Sequence, residues 1–348
     1  MLRPRRSPRI KTPAVLVVSA ILAGLLGACS GSRSSPNGTI TLYSGQHQLT
    51  TQALIQGFEK QTGIKVNVRY DDEDTLVDQI ITEGSRTPAD VIFTENSPAL
   101  EDLETHNRLV PLAATTLSQT PSKYNSPQSD WVAVSARVSV LVYNPKLISA
   151  DQLPTSVLQL ADPRYKGKLA FAPSETDFQP IVTAVAKSAG TSATVSWLKG
   201  LASNGSGHVY PDNETVTSQV NRGVVAFGVI NQYYWYRMAA EIGSSAVHSK
   251  IAYFAAGDPG YVVDVSGAGV LASSKHQADA ARFVAYLVSP DAQKVIADSL
   301  SFEYPLADGV SPSAPETPFA DLRPYPISIA DLGTGSNAVT LLQQAGLL

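Results

Sequence analysis

The sequence has little of several features on which common protein functions depend. It contains a single cysteine among 348 residues, Cys29, so no disulfide can form within one chain. It also contains no Gly-x-Ser-x-Gly nucleophile elbow, no His-Glu-x-x-His metalloprotease motif and no phosphate-binding loop. The sequence therefore gives no support to the hydrolases and nucleotide-dependent enzymes that carry these motifs.

Charged residues make up only 16% of the chain, and their balance is acidic. The formal net charge is −4, but residues 1–28 carry five basic residues and no acidic one. The rest of the chain therefore has 21 basic and 30 acidic residues and a formal charge of −9. Because nucleic acids attract basic surfaces, we expect no nucleic acid to bind.

An apolar run near the N-terminus, Ala14 to Leu26, is too short to span a membrane comfortably. It follows a basic stretch and leads into Leu26-Gly27-Ala28-Cys29, which resembles a bacterial lipobox. We therefore predict that residues 1–28 are a lipoprotein signal peptide, that Cys29 is lipidated, and that residues 29–38 form a flexible tether. The alternative is an uncleaved N-terminal anchor helix.

After the tether, strand and helix patterns alternate along the chain, with no internal sequence repeat. This alternation predicts an α/β protein in which helices cover a largely parallel sheet. The acidic run 71–74 is interpreted as the solvated start of a helix. The predicted strands are 39–43, 64–68, 89–93, 138–143, 168–172, 224–230, 261–265 and 268–271, and the predicted helices are 49–60, 75–82, 178–188, 193–201, 215–220, 236–242, 278–287 and 292–299.

Two adjacent tyrosines, Tyr233 and Tyr234, follow an apolar strand pattern and precede a helix pattern. In a straight strand their side chains would point to opposite faces, so both phenols reach one point only if the chain turns there. This position is the carboxyl end of a strand, where open α/β sheets place their ligand sites. Phenol oxygens become hard anionic donors when a cation displaces their protons, so the pair indicates a hard metal ion.

Two other predicted strands also end in polar side chains that could join the tyrosines. His47 follows the first strand and Glu95 follows the third. One carboxylate and two phenolates supply three negative charges, and a neutral imidazole adds none. This set matches a trivalent cation, of which ferric iron is the abundant hard example, and leaves about two open positions on a six-coordinate ion.

Three runs, 42–47, 89–95 and 229–235, resemble those of the bacterial ferric-ion-binding proteins of iron ABC transporters. The resemblance implies a two-lobe periplasmic-binding-protein fold, with mixed sheets, crossing hinge strands and a central cleft that holds iron. It implies that the metal ligands are His47, Glu95, Tyr233 and Tyr234. We expect lobe 1 to comprise 39–138 plus about 265–310, and lobe 2 to comprise about 139–264 plus 311–348.

The resemblance also implies a small synergistic anion, phosphate or carbonate, beside the iron. In this chain the neighbouring loop carries Glu175 and Asp177, whose carboxylates should repel an anion. We hypothesise that one of them is an extra metal ligand that replaces the anion, the alternative being a helix-capping role. The residues expected around the anion or in the second shell are Asn213, Asn231, Ser174 and Thr176.

The function implied is that of an extracytoplasmic lipoprotein, not an enzyme, that captures ferric iron and delivers it to the permease of an ABC importer. We expect a monomer held at the cell membrane through Cys29. One alternative keeps the fold but changes the ligand to a polyamine, thiamine or an oxyanion. Another is an extracytoplasmic non-haem iron enzyme, but such sites favour two histidines and a carboxylate, and only one candidate histidine follows a strand here.

Overall fold

The computed structural model describes residues 38–313 and 317–348. The predicted signal peptide, the lipidation site Cys29 and all of the tether except Gly38 lie outside these residues. Among the described helices, none is both long and apolar enough to cross a membrane.

The described residues contain nine strands in one mixed sheet. The strands are β1 (Thr39–Ser44), β2 (Lys65–Tyr70), β3 (Val91–Thr94), β4 (Trp131–Tyr143), β5 (Leu169–Ala170), β6 (Phe227–Asn231), β7 (Lys250–Ala252), β8 (Val263–Val270) and β9 (Tyr304–Pro305). Their order is β2-β1-β3-β8-β4-β6-β5, and β7 and β9 pair with β4. Strands β1, β2 and β3 are mutually parallel, β5 is parallel to β6, and β8 and β4 run antiparallel to their neighbours.

Strand β4 is buried along its whole length and joins two groups of strands. Its residues 131–138 pair with β8, whereas residues 139–143 pair with β6. One continuous strand therefore belongs to both halves of the sheet, as crossing strands do in a two-lobe fold. The strand that pairs with β4 changes from β8 to β6 between Val138 and Ser139. The lobe boundaries themselves stay a prediction.

The sequence prediction was wrong about the extent of two central strands. It placed β4 at 138–143 only, because Ser135 and Arg137 interrupt the apolar pattern of its first half. It also divided β8 into 261–265 and 268–271, whereas the strand is continuous through Ser266 and Gly267. A Cβ on Gly267 would lie 2.6 Å from Leu100 Cδ1, so the glycine permits close packing against the helix that contains Leu100.

Helices cover the sheet and follow the predicted alternation. Helix α1 ends at Gly63, whose φ of +73° is the left-handed conformation that glycine adopts without strain. The helices are α1 (Gln48–Thr62), α2 (Glu73–Glu83), α3 (Ser97–Thr105), α4 (Ala114–Leu117), α5 (Gln179–Ala189), α6 (Thr191–Asn204), α7 (Asn213–Asn221), α8 (Gln232–Ile242), α9 (Gln277–Leu287), α10 (Pro290–Asp298), α11 (Ile329–Leu332) and α12 (Ser336–Ala345).

Along the first residues of β4, the apolar core divides between the two faces of the sheet. Val132 and Val134 of β4 pack in a cluster that includes residues of α1, α9 and α10, whereas Trp131 and Ala133 pack in the larger cluster on the other side. This alternation is the period of two that a strand imposes. Both faces are therefore closed by apolar packing, and polar side chains collect where strands end and helices begin.

Candidate metal centre

Three strand-to-helix junctions supply the residues predicted to bind metal. His47 lies directly before α1, three residues after β1, and Glu95 lies between β3 and α3. Tyr233 and Tyr234 are the second and third residues of α8, directly after β6. The chain therefore turns at the tyrosine pair, as the sequence required if both phenols were to face one point.

The structure brings these four side chains into contact. Tyr233 Oη lies 2.5 Å from Glu95 Oε1, and His47 Nε2 lies 3.2 Å from the same oxygen. The ring centroids of Tyr233 and Tyr234 are 4.1 Å apart. The tyrosines are 0% and 4% exposed, respectively. We call these four residues and Asp177 the donor cluster. The contacts that place Asp177 in it are described next.

Asp177 faces the tyrosines from the short 3-10 turn Thr176–Phe178 that precedes α5. Its Oδ2 atom accepts hydrogen bonds from Tyr233 Oη at 3.0 Å and from Tyr234 Oη at 2.9 Å. Its Oδ1 atom is buried and has no hydrogen-bond partner among the described residues. The Asp177 side chain is therefore directed into the donor cluster rather than onto a helix terminus, which leaves one oxygen available to a ligand.

The other predicted residues surround this cluster at differing distances. Asn213 is the first residue of α7, and its amide lies 3.4 Å from Asp177 Oδ2. Asn231 is buried at the start of α8. Glu175 is half-buried, and burial raises its pKa to about 8, with a further contribution from Asp177. Ser174 is exposed and donates to the backbone oxygen of Pro211 at 3.3 Å, away from the phenols.

A buried ion pair that the sequence did not reveal lies behind the cluster. Arg137 and Glu303 are each 1% exposed and form a salt bridge. Arg137 Nη2 also lies 3.8 Å from Glu95 Oε1, and one oxygen of Glu303 lies within 4.8 Å of donor atoms of His47 and Glu95. Arg137 could have been noticed in the sequence, because a single arginine interrupts an otherwise apolar strand. Glu303 could not, because its position beside Arg137 depends on tertiary packing.

Residues 44–294 match the family described as bacterial extracellular solute-binding protein. This chain belongs to that family. The Fe(3+)-binding periplasmic protein of Serratia marcescens is 38% identical to it over 331 residues, which cover 95% of this chain and 97% of the relative.

Solved structures place this solute-binding protein in the predicted fold class. Iron-bound HitA from Pseudomonas aeruginosa superposes with a TM-score of 0.84 at 40% identity, covering 89% of this chain and 99% of HitA. A Trichodesmium protein in complex with iron and citrate gives a TM-score of 0.78 at 29% identity, covering 89% and 100% of the two chains. The two-lobe α/β architecture is thereby confirmed.

The acidic run 71–74 of this solute-binding protein is not simply a solvated helix start, which corrects the sequence interpretation. Glu73 is 4% exposed, and its Oε2 atom accepts the backbone N–H groups of Glu95 at 2.7 Å and Asn96 at 2.9 Å. A Cβ on Gly45 would lie 2.6 Å from the Glu73 Cβ, so this glycine leaves the space that Glu73 occupies. Glu73 therefore fixes the loop that carries Glu95.

Burial holds Glu95, Tyr233 and Tyr234 in their protonated forms at neutral pH in the absence of a cation. Burial raises the pKa of Glu95 to about 8, assisted by the charge of Asp177. Burial also raises the pKa values of Tyr233 and Tyr234 well above their ordinary range. Burial lowers the pKa of His47 to about 4, so its imidazole is neutral at neutral pH. A highly charged cation would therefore bind in exchange for protons.

Proposed function

We propose that this solute-binding protein captures ferric iron in its interlobe cleft and delivers it to an ABC importer. His47, Glu95, Tyr233 and Tyr234 would be the metal ligands. This proposal rests on one observation: Tyr233 Oη and His47 Nε2 both lie within hydrogen-bond distance of Glu95 Oε1. Hard oxygen donors of this kind suit a trivalent ion, and the Serratia marcescens and Pseudomonas aeruginosa relatives are both described as iron-binding or iron-bound.

We further propose that Asp177 is an extra ligand and takes the place of an exogenous anion. Glu95, Asp177 and two phenolates would carry four negative charges against the three positive charges of the ion. The Arg237 guanidinium lies 3.3 Å from His47 Nε2, but it is also paired with Glu214 at 3.5 Å and so offsets this charge only in part. A further anion would increase the negative charge of the site, so phosphate or carbonate should add little to iron binding.

The geometry does not favour the alternative cargoes. A cage for a polyamine or thiamine needs open aromatic faces, whereas the rings of Tyr233 and Tyr234 are buried against each other. An oxyanion would meet the carboxylates of Glu95 and Asp177. A non-haem iron enzyme would normally use a second histidine, and the donor cluster has only His47. We therefore propose a binding protein without catalytic activity.

A ferric titration tests the proposed function. Addition of ferric iron should produce a visible tyrosinate-to-iron charge-transfer band, and Tyr233→Phe should weaken both the band and the binding. Tyr253→Phe is the control, because this phenol lies outside the donor cluster and makes no hydrogen bond among the described residues. A wild-type protein that stays colourless, or a Tyr233→Phe protein with the wild-type band, would contradict the proposal.

We propose that the mature protein acts as a monomer, tethered to the outer face of the cell membrane by lipid on Cys29. The lipobox-like sequence before Cys29 supports the anchor, and the family description supports a site outside the cytoplasm. Cys29→Ala should move the protein from the membrane fraction to the soluble extracytoplasmic fraction. Retention of Cys29→Ala protein in the membrane would instead favour an uncleaved anchor helix.

A further inference from the structure

Asn96 makes hydrogen bonds to three separate parts of the protein. Its amide nitrogen donates to Glu73 Oε1 at 3.0 Å and to Thr176 Oγ1 at 3.1 Å. Its amide oxygen accepts from Arg137 Nη1 at 3.3 Å. The side chain is 1% exposed, so these partners replace water for both ends of the amide. Asn96 therefore joins the loop that carries Glu95 to the loop that begins at Thr176.

The second of these loops also carries Asp177, the proposed extra ligand. Thr176 and Asp177 are consecutive residues of one 3-10 turn, so a constraint on Thr176 limits where the Asp177 carboxylate can lie. A second hydrogen bond connects the same regions, because Gln179 Nε2 lies 3.4 Å from Asp74 Oδ2. The turn that carries Asp177 is thus held at both ends against the segments that surround Glu95.

We propose that Asn96 and Thr176 form a latch that positions Asp177 over the two tyrosine hydroxyls. This inference rests on the proposed function, since it concerns how the metal site is completed. With the latch formed, the internal carboxylate of Asp177 occupies the position of an external anion. With the latch broken, the turn withdraws and an external oxyanion fills the vacated position. The latch thereby decides whether the protein depends on an added anion.

Three variants separate the latch from the rest of the turn. Thr176→Val keeps the shape of the side chain but removes the hydroxyl that accepts from Asn96. Thr176→Ser keeps the hydroxyl and should behave like the wild type. Ser174→Ala removes another hydroxyl from the same loop, one that bonds to Pro211 and not to Asn96. Thermal unfolding of each variant establishes that it is folded before binding is compared.

The first experiment measures iron retention with and without inorganic phosphate. Ferric-loaded proteins are freed of small molecules by gel filtration and then challenged with EDTA. Thr176→Val should lose about fivefold in apparent affinity, the effect of one net hydrogen bond, and phosphate should restore it. Wild type, Thr176→Ser and Ser174→Ala should retain iron equally and respond little to phosphate. A Thr176→Val protein that matches Thr176→Ser, or a loss that phosphate does not restore, would overturn the latch.

The second experiment does not depend on iron and so separates this inference from the proposed function. In the metal-free protein, Thr176→Val should increase amide hydrogen exchange in residues 174–178 by about fivefold, because one restraint on the turn is lost. Thr176→Ser and Ser174→Ala should exchange like the wild type. A wild-type protein that binds no ferric iron would contradict the proposed function. Amide exchange in Thr176→Val that matches the wild type would show that no latch exists.

Discussion

The donor cluster and the ion pair behind it each contain a glutamate, and the two sites shift the pKa of its carboxyl group in opposite directions. Burial raises the pKa of Glu95 to about 8. The Glu303 side chain is 1% exposed, against 16% for Glu95, yet the Arg137 guanidinium outweighs its burial and holds the pKa of this carboxyl below its ordinary value. Arg137 forms its salt bridge with Glu303, whereas the same guanidinium lies 3.8 Å from Glu95, whose carboxyl also faces the charge of Asp177. A group of acidic side chains whose nearby cation is already paired is suited to receive another cation from outside.

Removing the negative charge from the ion pair should have the largest effect on stability. Glu303→Gln leaves the Arg137 charge buried without its partner, so we expect the free energy of unfolding to fall by about 3–5 kcal/mol. Urea unfolding of the metal-free protein measures this. Asp298→Asn is the control, because Asp298 is an exposed acid paired with Lys294, and the loss of a surface pair should cost far less. Equal effects of the two substitutions would contradict the comparison.

Raising the pH should have a smaller effect on stability. This effect comes from Glu95 in the donor cluster and from Glu73, which holds the loop that carries Glu95. Burial raises the pKa values of Glu95 and Glu73 to about 8, from an ordinary value of 4.5. The folded state therefore binds more protons than the unfolded chain between these values, so stability falls as pH rises through them. We expect a loss of about 1–2 kcal/mol between pH 7 and pH 8 in the metal-free protein, measured by urea unfolding.

The histidine of the cluster should not obscure this trend. Burial lowers the pKa of His47 to about 4, so it adds stability as pH rises from about 4 toward 6.5 and little above that. Ferric binding should show the opposite slope, because the ligands must lose protons to bind, and acidification should release iron. Metal-free stability that does not fall between pH 7 and pH 8 would show that the Glu95 and Glu73 carboxyls are already ionised in the folded protein.

Glu95→Gln should have the smallest effect on stability and the opposite sign to Glu303→Gln. At pH 8.5 it removes a carboxylate that lacks a full counter-charge, so we expect the metal-free protein to become more stable. The same substitution removes a proposed ligand, so ferric affinity should decrease by about a hundredfold or more. Urea unfolding and EDTA competition measure the two effects, and destabilisation of the metal-free protein would contradict our interpretation of Glu95.

The four predicted ligands could be found from the sequence because each follows a strand or precedes a helix. His47, Glu95 and the tyrosine pair lie at strand-to-helix junctions, and a strand pattern locates such junctions from local residues alone. The structure places these four together, and their role as ligands remains a proposal. The prediction that a carboxylate of the 174–177 loop faces the metal site depended on the resemblance, and the geometry selects Asp177 over Glu175 as the residue that contacts the phenols.

The supporting residues could not be found in this way, because their roles arise from contacts between distant segments. Glu73 looked like part of a solvated acidic run, but its carboxylate binds two backbone N–H groups of another loop. Glu303 lies 166 positions from its partner Arg137. No period of two or of 3.6 indicates such pairings. Glu303 reaches Arg137 because β9, which directly follows Glu303, pairs with β4.

Strand β4 has a mechanical consequence for loading and unloading the site. Because its 13 residues run through both groups of strands without a break, the two groups cannot separate without bending this backbone or breaking its ladder. Bending is far less costly, and it should concentrate between Val138 and Ser139, where one set of neighbours ends and the other begins. We therefore expect cargo exchange to bend the chain where it crosses between the predicted lobes, near 138–139, 264–265 and 310–311.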